Sequence, residues 1–204
     1  IAAAGATVCV LLGLGMALSA RAGRGGAIFW LCAACFLISG PVLGVGLIRA
    51  WNHPGGRGMV YDSAAIMPLA CAARYTFIPW IGFRVALDRL DARLEEAARA
   101  NGVVVWRTLA GVTLPMLAPA LAGLWGICFV FCMGELDTIV LVCPPGWLPV
   151  SVRLFSLMHY GPSRLVAALA LVNAGAILAA LAVTYLSWRW LHGRLTLEKP
   201  NGRP

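Results

Sequence analysis

Apolar residues fill most of this 204-residue chain in stretches of about 20, a length that matches the roughly 30 Å hydrocarbon core of a bilayer. Short breaks that carry Arg, Pro or Gly separate these stretches. The pattern predicts an all-α polytopic membrane protein with about five transmembrane helices. We place these spans at residues 1–19, 27–48, 63–83, 115–134 and 165–190.

Three stretches between the predicted spans are too polar to cross a bilayer. Residues 49–62 hold Asn, His, Pro and several Gly, which is typical of a loop, and residues 88–101 are rich in charged residues that favour a helix. Residues 134–162 are interrupted by several prolines. They also contain an apolar run at 139–143 and helical periodicity at 151–160.

Arg and Lys fall mainly on one side of the predicted membrane. Of sixteen such residues, eleven lie on the side of residues 84–107 and the C-terminus, four lie on the other side, and Arg74 lies within the third span. Because positively charged loops stay in the cytoplasm, residues 88–106 and the C-terminus are predicted to be cytoplasmic in a bacterial inner membrane. Residues 134–162 are then a re-entrant or interfacial segment on the outer side.

Composition supports a membrane protein and argues against several kinds of site. Hydrophobic residues make up 61% of the chain and charged residues 12%. The net charge of +8 does not indicate nucleic-acid binding, because the Arg residues lie beside apolar segments and not in a basic stripe with interleaved aromatics. Six of the seven Cys, the Cys32-x-x-Cys35 pair included, fall in apolar segments and are interpreted as packed small residues. We predict no catalytic centre and no metal site.

Three acidic or basic residues within or next to the predicted spans are candidates for a substrate pathway. Arg74 lies about eleven residues into the third span, or roughly 17 Å, slightly past the bilayer centre toward the cytoplasm. It serves either a pathway or a structural, snorkelling role. Glu135 and Asp137 follow Gly134, which ends the fourth span. They either line the path of a cation or are ordinary solvated loop acids.

The stretch from Leu87 to Gly102 has the pattern of a short amphipathic helix. Apolar side chains from Leu87 to Ala98 share one face, and Asn101-Gly102 provides a left-handed stop. Taken alone, this pattern fits a helix that lies on the inner membrane surface. Small residues at Ala97 and Ala98 also allow a partner protein to approach closely.

The residues around this helix resemble a motif of the permease subunits of binding-protein-dependent type I ABC importers. The motif is Glu-Ala-Ala, three residues, Gly, nine residues, an aliphatic residue, one residue and Leu-Pro. Val112 stands where the family usually has Ile. The matching positions in this chain are Glu96, Ala97, Ala98, Gly102, Val112, Leu114 and Pro115.

The resemblance implies that residues 1–204 are one importer transmembrane domain, the C-terminal part of a longer permease, since the chain opens at Ile1 inside an apolar run. Residues 87–115 would form the cytoplasmic coupling loop that docks on a nucleotide-binding ATPase subunit. Further expected partners are an extracytoplasmic substrate-binding protein, a second permease half and membrane lipid. The chain itself is expected to be no enzyme and to hold no cofactor, because ATP and Mg²⁺ would bind the ATPase. The only Lys, Lys199, is followed by Pro200 and belongs to no phosphate-binding loop.

Later motifs give a preference for the substrate. The stretches at Gly134–Leu136, Pro144–Trp147 and His159–Gly161 look like the second half of fused permeases for ferric iron. Ferric iron is therefore the expected substrate, with thiamine, a phosphonate or a polyamine left open. A secondary transporter or an intramembrane enzyme remains the alternative. The first would show inverted repeats and midplane ionisable residues, and the second would show a recognisable catalytic motif.

Overall fold

The computed structural model describes residues 1–21, 25–53, 58–90 and 105–197. Within these residues every regular element is helical, which confirms the predicted all-α polytopic class. A π-helical turn, Leu109–Thr113, joins the seventh helix to the eighth. The helices are α1 Ala2–Ser19, α2 Gly25–Leu37, α3 Gly40–Trp51, α4 Gly58–Tyr61, α5 Ile66–Tyr75, α6 Phe77–Asp88, α7 Val105–Thr108, α8 Leu114–Gly134, α9 Ile139–Val142, α10 Val150–Tyr160 and α11 Ser163–Leu197.

Three of these helices are long and apolar enough to cross a membrane on their own: α1, α8 and residues Ser163–Leu191 of α11. Two bent pairs, α2 with α3 and α5 with α6, also have the length and composition of a span. Counting each pair as one span gives five, as the sequence predicted.

The second and third spans are bent, which the sequence analysis did not predict: the α2–α3 pair bends by 112° and the α5–α6 pair by 52°. In the first pair Ser39 adopts an extended backbone, and Pro41 has no N–H to continue the hydrogen bonds of α2. In the second pair Pro79 cannot donate to the Tyr75 carbonyl and its ring crowds that oxygen. Each proline therefore interrupts the helix within an apolar segment that hydropathy alone would predict to be one continuous helix.

Close contacts between α1 and the α5–α6 pair show that they run parallel. Gly5 faces Cys71, Gly13 faces Pro79, and the Arg21 side chain donates to the Leu87 carbonyl at 3.0 Å, so contacting residues stay 66 positions apart. Helix α8 runs in the opposite direction, because Cys132 lies beside Gly5 while the earlier residue Trp125 donates to Thr7 Oγ1, further along α1. First and third spans thus share one direction and the fourth opposes them, as an alternating topology requires.

The core of the bundle lies between α1, α5, α6 and α8. Its largest fully buried side chains include Phe83, Ile66, Met67 and Leu117. Small residues fill the closest crossings. Four cysteines at these crossings are at most 3% exposed and pack there as small hydrophobes: Cys9, Cys71, Cys128 and Cys132.

Glycine is required where α1 crosses the start of α6. A Cβ added at Gly13 would lie 2.8 Å from Pro79 Cγ and 2.9 Å from the Trp80 backbone nitrogen, whereas one at Gly15 would meet open space. Gly13→Ala is expected to destabilise the chain by about 1–3 kcal/mol through overpacking, because the backbone nitrogen cannot move aside. Melting temperatures in detergent, with Gly15→Ala as the matched control, measure this difference. Equal melting temperatures for the two variants would contradict the packing described.

Candidate functional site

Three helix discontinuities meet at one group of polar side chains. They are the bend between α2 and α3, the end of α5 at Tyr75 and the end of α8 at Gly134. We call the hydrogen-bonded side chains at this junction the polar cluster: Arg74, Tyr75, Glu135 and Thr138. Breaks in spanning helices are where polar backbone and charged groups gather in membrane transport proteins. The junction is therefore the candidate functional site.

Glu135 is the centre of the polar cluster and is only 3% exposed. Its Oε1 atom accepts from Arg74 Nη1 at 2.9 Å and from the Thr138 backbone N–H at 3.0 Å. Its Oε2 atom accepts from the Tyr75 hydroxyl. Both carboxylate oxygens are thus engaged, and the burial shows that the solvated-loop interpretation of Glu135 was wrong.

Arg74 reaches this carboxylate from the C-terminal end of α5. Its Nη1 atom also lies 3.3 Å from Thr138 Oγ1, and its side chain is 19% exposed. The 66-residue offset between α1 and α5 makes Arg74 level with Val8 of α1. The depth of Arg74 in the bilayer stays a prediction.

Gly40, at the start of α3, packs against the polar cluster and was not among the predicted site residues. A Cβ there would overlap Arg74 Nη1 and would lie 2.5 Å from Asp137 Cβ and 3.1 Å from Thr138 Oγ1. The Gly40-Pro41 pair inside an apolar run is the sequence signal that could have indicated this break. Asp137 itself is exposed, and it makes no ion pair with any other described residue.

The structure thus brings together all three predicted pathway residues, Arg74, Glu135 and Asp137. The first two form a buried ion pair, and the third lies beside them on the exposed side of Gly40. Such an arrangement can hold three elements together, or exchange its internal partners for a charged ligand. Their predicted role in a substrate pathway stays a prediction.

Most of the predicted docking motif lies outside the described residues, namely Glu96, Ala97, Ala98 and Gly102. Leu114 and Pro115 are described, and both are exposed at the first turn of α8. The preceding π-helical turn directs the Leu114 N–H to the Leu109 carbonyl. This wider turn leaves room for the Pro115 ring, which would crowd an ordinary α-helical turn.

The polar segment after α8 contains two short helices, of which the sequence pattern predicted the second. The apolar run at 139–143 forms α9, and the periodic run at 151–160 forms most of α10. Between them the Cys143 thiol donates to the Trp147 carbonyl at 3.2 Å across a turn in which Gly146 has a φ of 87°. Burial raises the pKa of Cys143 above its usual value, so this thiol stays protonated at neutral pH.

Comparison with known proteins gives a family and several relatives. The family described as binding-protein-dependent transport system inner membrane component matches residues 9–196. A 2-aminoethylphosphonate transport system permease protein of Salmonella paratyphi A is 37% identical over 75 residues, which cover 37% of this chain and 28% of the relative. The putrescine transport system permease protein of Escherichia coli K12 is 30% identical over 136 residues, or 67% of this chain and 47% of the relative.

A ferric transport system permease protein of Haemophilus influenzae is 31% identical over 118 residues, which cover 54% of this chain and 17% of the relative. The chain thus matches less than half the length of each of these three relatives. The family match, by contrast, takes in nearly the whole chain, from α1 to the end of α11. It confirms the resemblance that the motif between Glu96 and Pro115 indicated, and this multi-pass membrane protein belongs to the family of binding-protein-dependent transport system inner membrane components.

Proposed function

We propose that this chain is the membrane-spanning permease component of an ABC importer. It forms the substrate path, while separate nucleotide-binding subunits hydrolyse ATP and an extracytoplasmic binding protein delivers the substrate. The observation that carries this proposal is the family match over residues 9–196, which includes the whole Glu96–Pro115 motif. A second permease half completes the path.

The coupling role falls to residues 87–115. The helix that the sequence predicts within them would dock on the nucleotide-binding subunit through Glu96, Ala97, Ala98 and Gly102. Leu114 and Pro115, exposed at the start of α8, join this surface to a span that packs against both α1 and α11. A displacement of the loop would therefore pass directly to the core of the bundle. This placement requires residues 87–115 and the C-terminus to be cytoplasmic, which the Arg and Lys distribution predicts.

The polar cluster is proposed as part of the substrate path. Charged groups inside a membrane are costly, and they persist there mainly at ion or substrate pathways and relays. Arg74 retains donors on Nε and Nη2 beyond the bonds that its Nη1 makes, and Asp137 presents a carboxylate on the exposed side. A substrate carrying charge can interact with either group.

The substrate remains a choice among chemically different compounds. The three relatives described above are permeases for 2-aminoethylphosphonate, for putrescine and for ferric iron. Ferric iron, which the sequence motifs favour, is one of these three. The polar cluster with Asp137 contains one cationic and two acidic side chains, so charge alone does not select one compound.

The decisive experiment expresses the permease in its complete form with a tag, together with its candidate ATPase and binding protein. We expect a nucleotide-binding subunit to copurify, and the reconstituted complex to take up one compound of a three-compound panel: labelled 2-aminoethylphosphonate, putrescine and iron(III). ATP without the binding protein should support little uptake. Uptake driven by an ion gradient with no ATPase bound would show a secondary transporter, and would refute the proposal.

A further inference from the structure

Helix α3 meets helix α9 along a face that has glycine at two successive turns. A Cβ at Gly40 would overlap Arg74 Nη1, and one at Gly44 would lie 3.0 Å from Leu141 Cδ1 and 3.2 Å from Leu141 Cβ. The backbone of α3 therefore rests directly on residues 137–141. This contact closes the junction on the side of the second span.

Neither of these two helices is a continuous membrane span. Helix α3 follows the 112° bend after α2, and α9 has four residues between the non-helical residues 135–138 and 143–149. Short helices with irregular flanks open at a lower free energy than long packed spans do. Separation at the α3–α9 contact would therefore disrupt no continuous span of the described bundle.

The Arg74–Glu135 ion pair lies beside this contact and joins α5 to the segment that precedes α9. Glu135 is anchored to α5 through both Arg74 and Tyr75, and the Thr138 N–H ties the start of α9 to the same carboxylate. Gly40 makes room for the guanidinium that forms the pair. Separation of α3 from α9 would admit water to a buried pair, which lowers the cost of parting its two charges.

We propose that α3 and α9 are the two sides of a gate, and that its latch is the packing of Gly40 against the guanidinium of the Arg74–Glu135 pair. The gate is closed in this structure and opens as α3 moves away from residues 137–141. This inference rests on the proposed function, because a gate has a purpose only in a transport path. It goes beyond that function by naming the elements that must part in each cycle.

A reversible crosslink across the gate tests the proposal. In Gly44→Cys/Leu141→Cys the distance between the two Cβ atoms would be close to the 3.5–4.5 Å that a disulfide requires. The partly exposed native residues Cys35 and Cys143 are both changed to Ser, so that their thiols do not compete in the oxidation. After oxidation we expect uptake of the transported compound of the three-compound panel to fall by about tenfold or more, and reduction to restore it. Gly46→Cys/Leu141→Cys is the matched control, because Gly46 has no neighbour within 4 Å.

Full uptake by the oxidised, crosslinked protein would show that α3 and α9 stay together, and would overturn the gate while leaving the proposed function intact. If even the wild type takes up no compound of the panel, the rate of disulfide formation tests the gate instead of uptake. Disulfide formation should then differ by about threefold or more between nucleotide-free and vanadate-trapped complexes. Equal rates would refute the gate. Gly40→Ala provides a second variant without oxidant: we expect impaired uptake, with Gly46→Ala unchanged, and wild-type uptake by Gly40→Ala would count against the latch.

Discussion

Gly102→Val and Ala98→Trp are each expected to abolish substrate-stimulated ATP hydrolysis while the permease remains inserted in the membrane. Asn101-Gly102 is predicted to end the coupling helix in a left-handed conformation, where a side chain with a Cβ costs roughly 1 kcal/mol or more and redirects the loop. A Trp at position 98 would fill the surface on which the ATPase has to approach closely. Glu96→Ala should weaken ATPase association more mildly, because it removes one polar contact and adds no bulk.

The measurement is ATPase activity of the reconstituted complex with and without the loaded binding protein. Gly111→Ala serves as the control, since its added Cβ meets open space and it lies in the same loop outside the motif positions. It should retain wild-type stimulation. If Gly102→Val and Ala98→Trp retain it as well, residues 87–102 are a surface helix and the coupling assignment fails.

Arg74→Met is expected to be the most damaging single change in the described bundle. It leaves Glu135, at 3% exposure, as a buried charge with only Tyr75 and Thr138 to solvate it. Removal of one partner from a buried ion pair costs about 3–5 kcal/mol. We therefore expect a marked loss of folded protein, measured as the monodisperse yield and melting temperature in detergent.

The paired variant Arg74→Met/Glu135→Gln separates stability from transport. With no charge left in the pair, the melting temperature should recover most of the loss, because the amide oxygen can still accept from Tyr75. Uptake should stay low, as it should in Glu135→Gln alone, whose assembly with the ATPase is expected to be normal. Full uptake by the paired variant would show that these two residues only stabilise the bundle and take no part in transport.

Sequence reasoning located the apolar segments well, because hydrocarbon thickness sets a length that can be counted directly along the chain. The start of α8 near Pro115 and the helix near 151 also followed from local pattern. It failed at Pro41 and Pro79, where an apolar run continues through a residue that interrupts the helix. Hydropathy measures transfer of side chains to lipid and carries no information on backbone hydrogen bonds.

The sequence by itself determined the class of the protein, its family and the position of the motif from Glu96 to Pro115, since each depends on composition or on spacing along the chain. It also marked Arg74, Glu135 and Asp137 singly, as charges within or next to apolar segments. Only the tertiary structure decided that Arg74 and Glu135 are partners and that Gly40 packs against them. These residues come from three separate parts of the chain, and the long-range packing of α3, α5 and α9 brings them together. Arg74 and Glu135 are 61 positions apart, and a contact at that separation produces no periodic pattern in a single sequence. The sequence therefore shows the two charges but not their pairing.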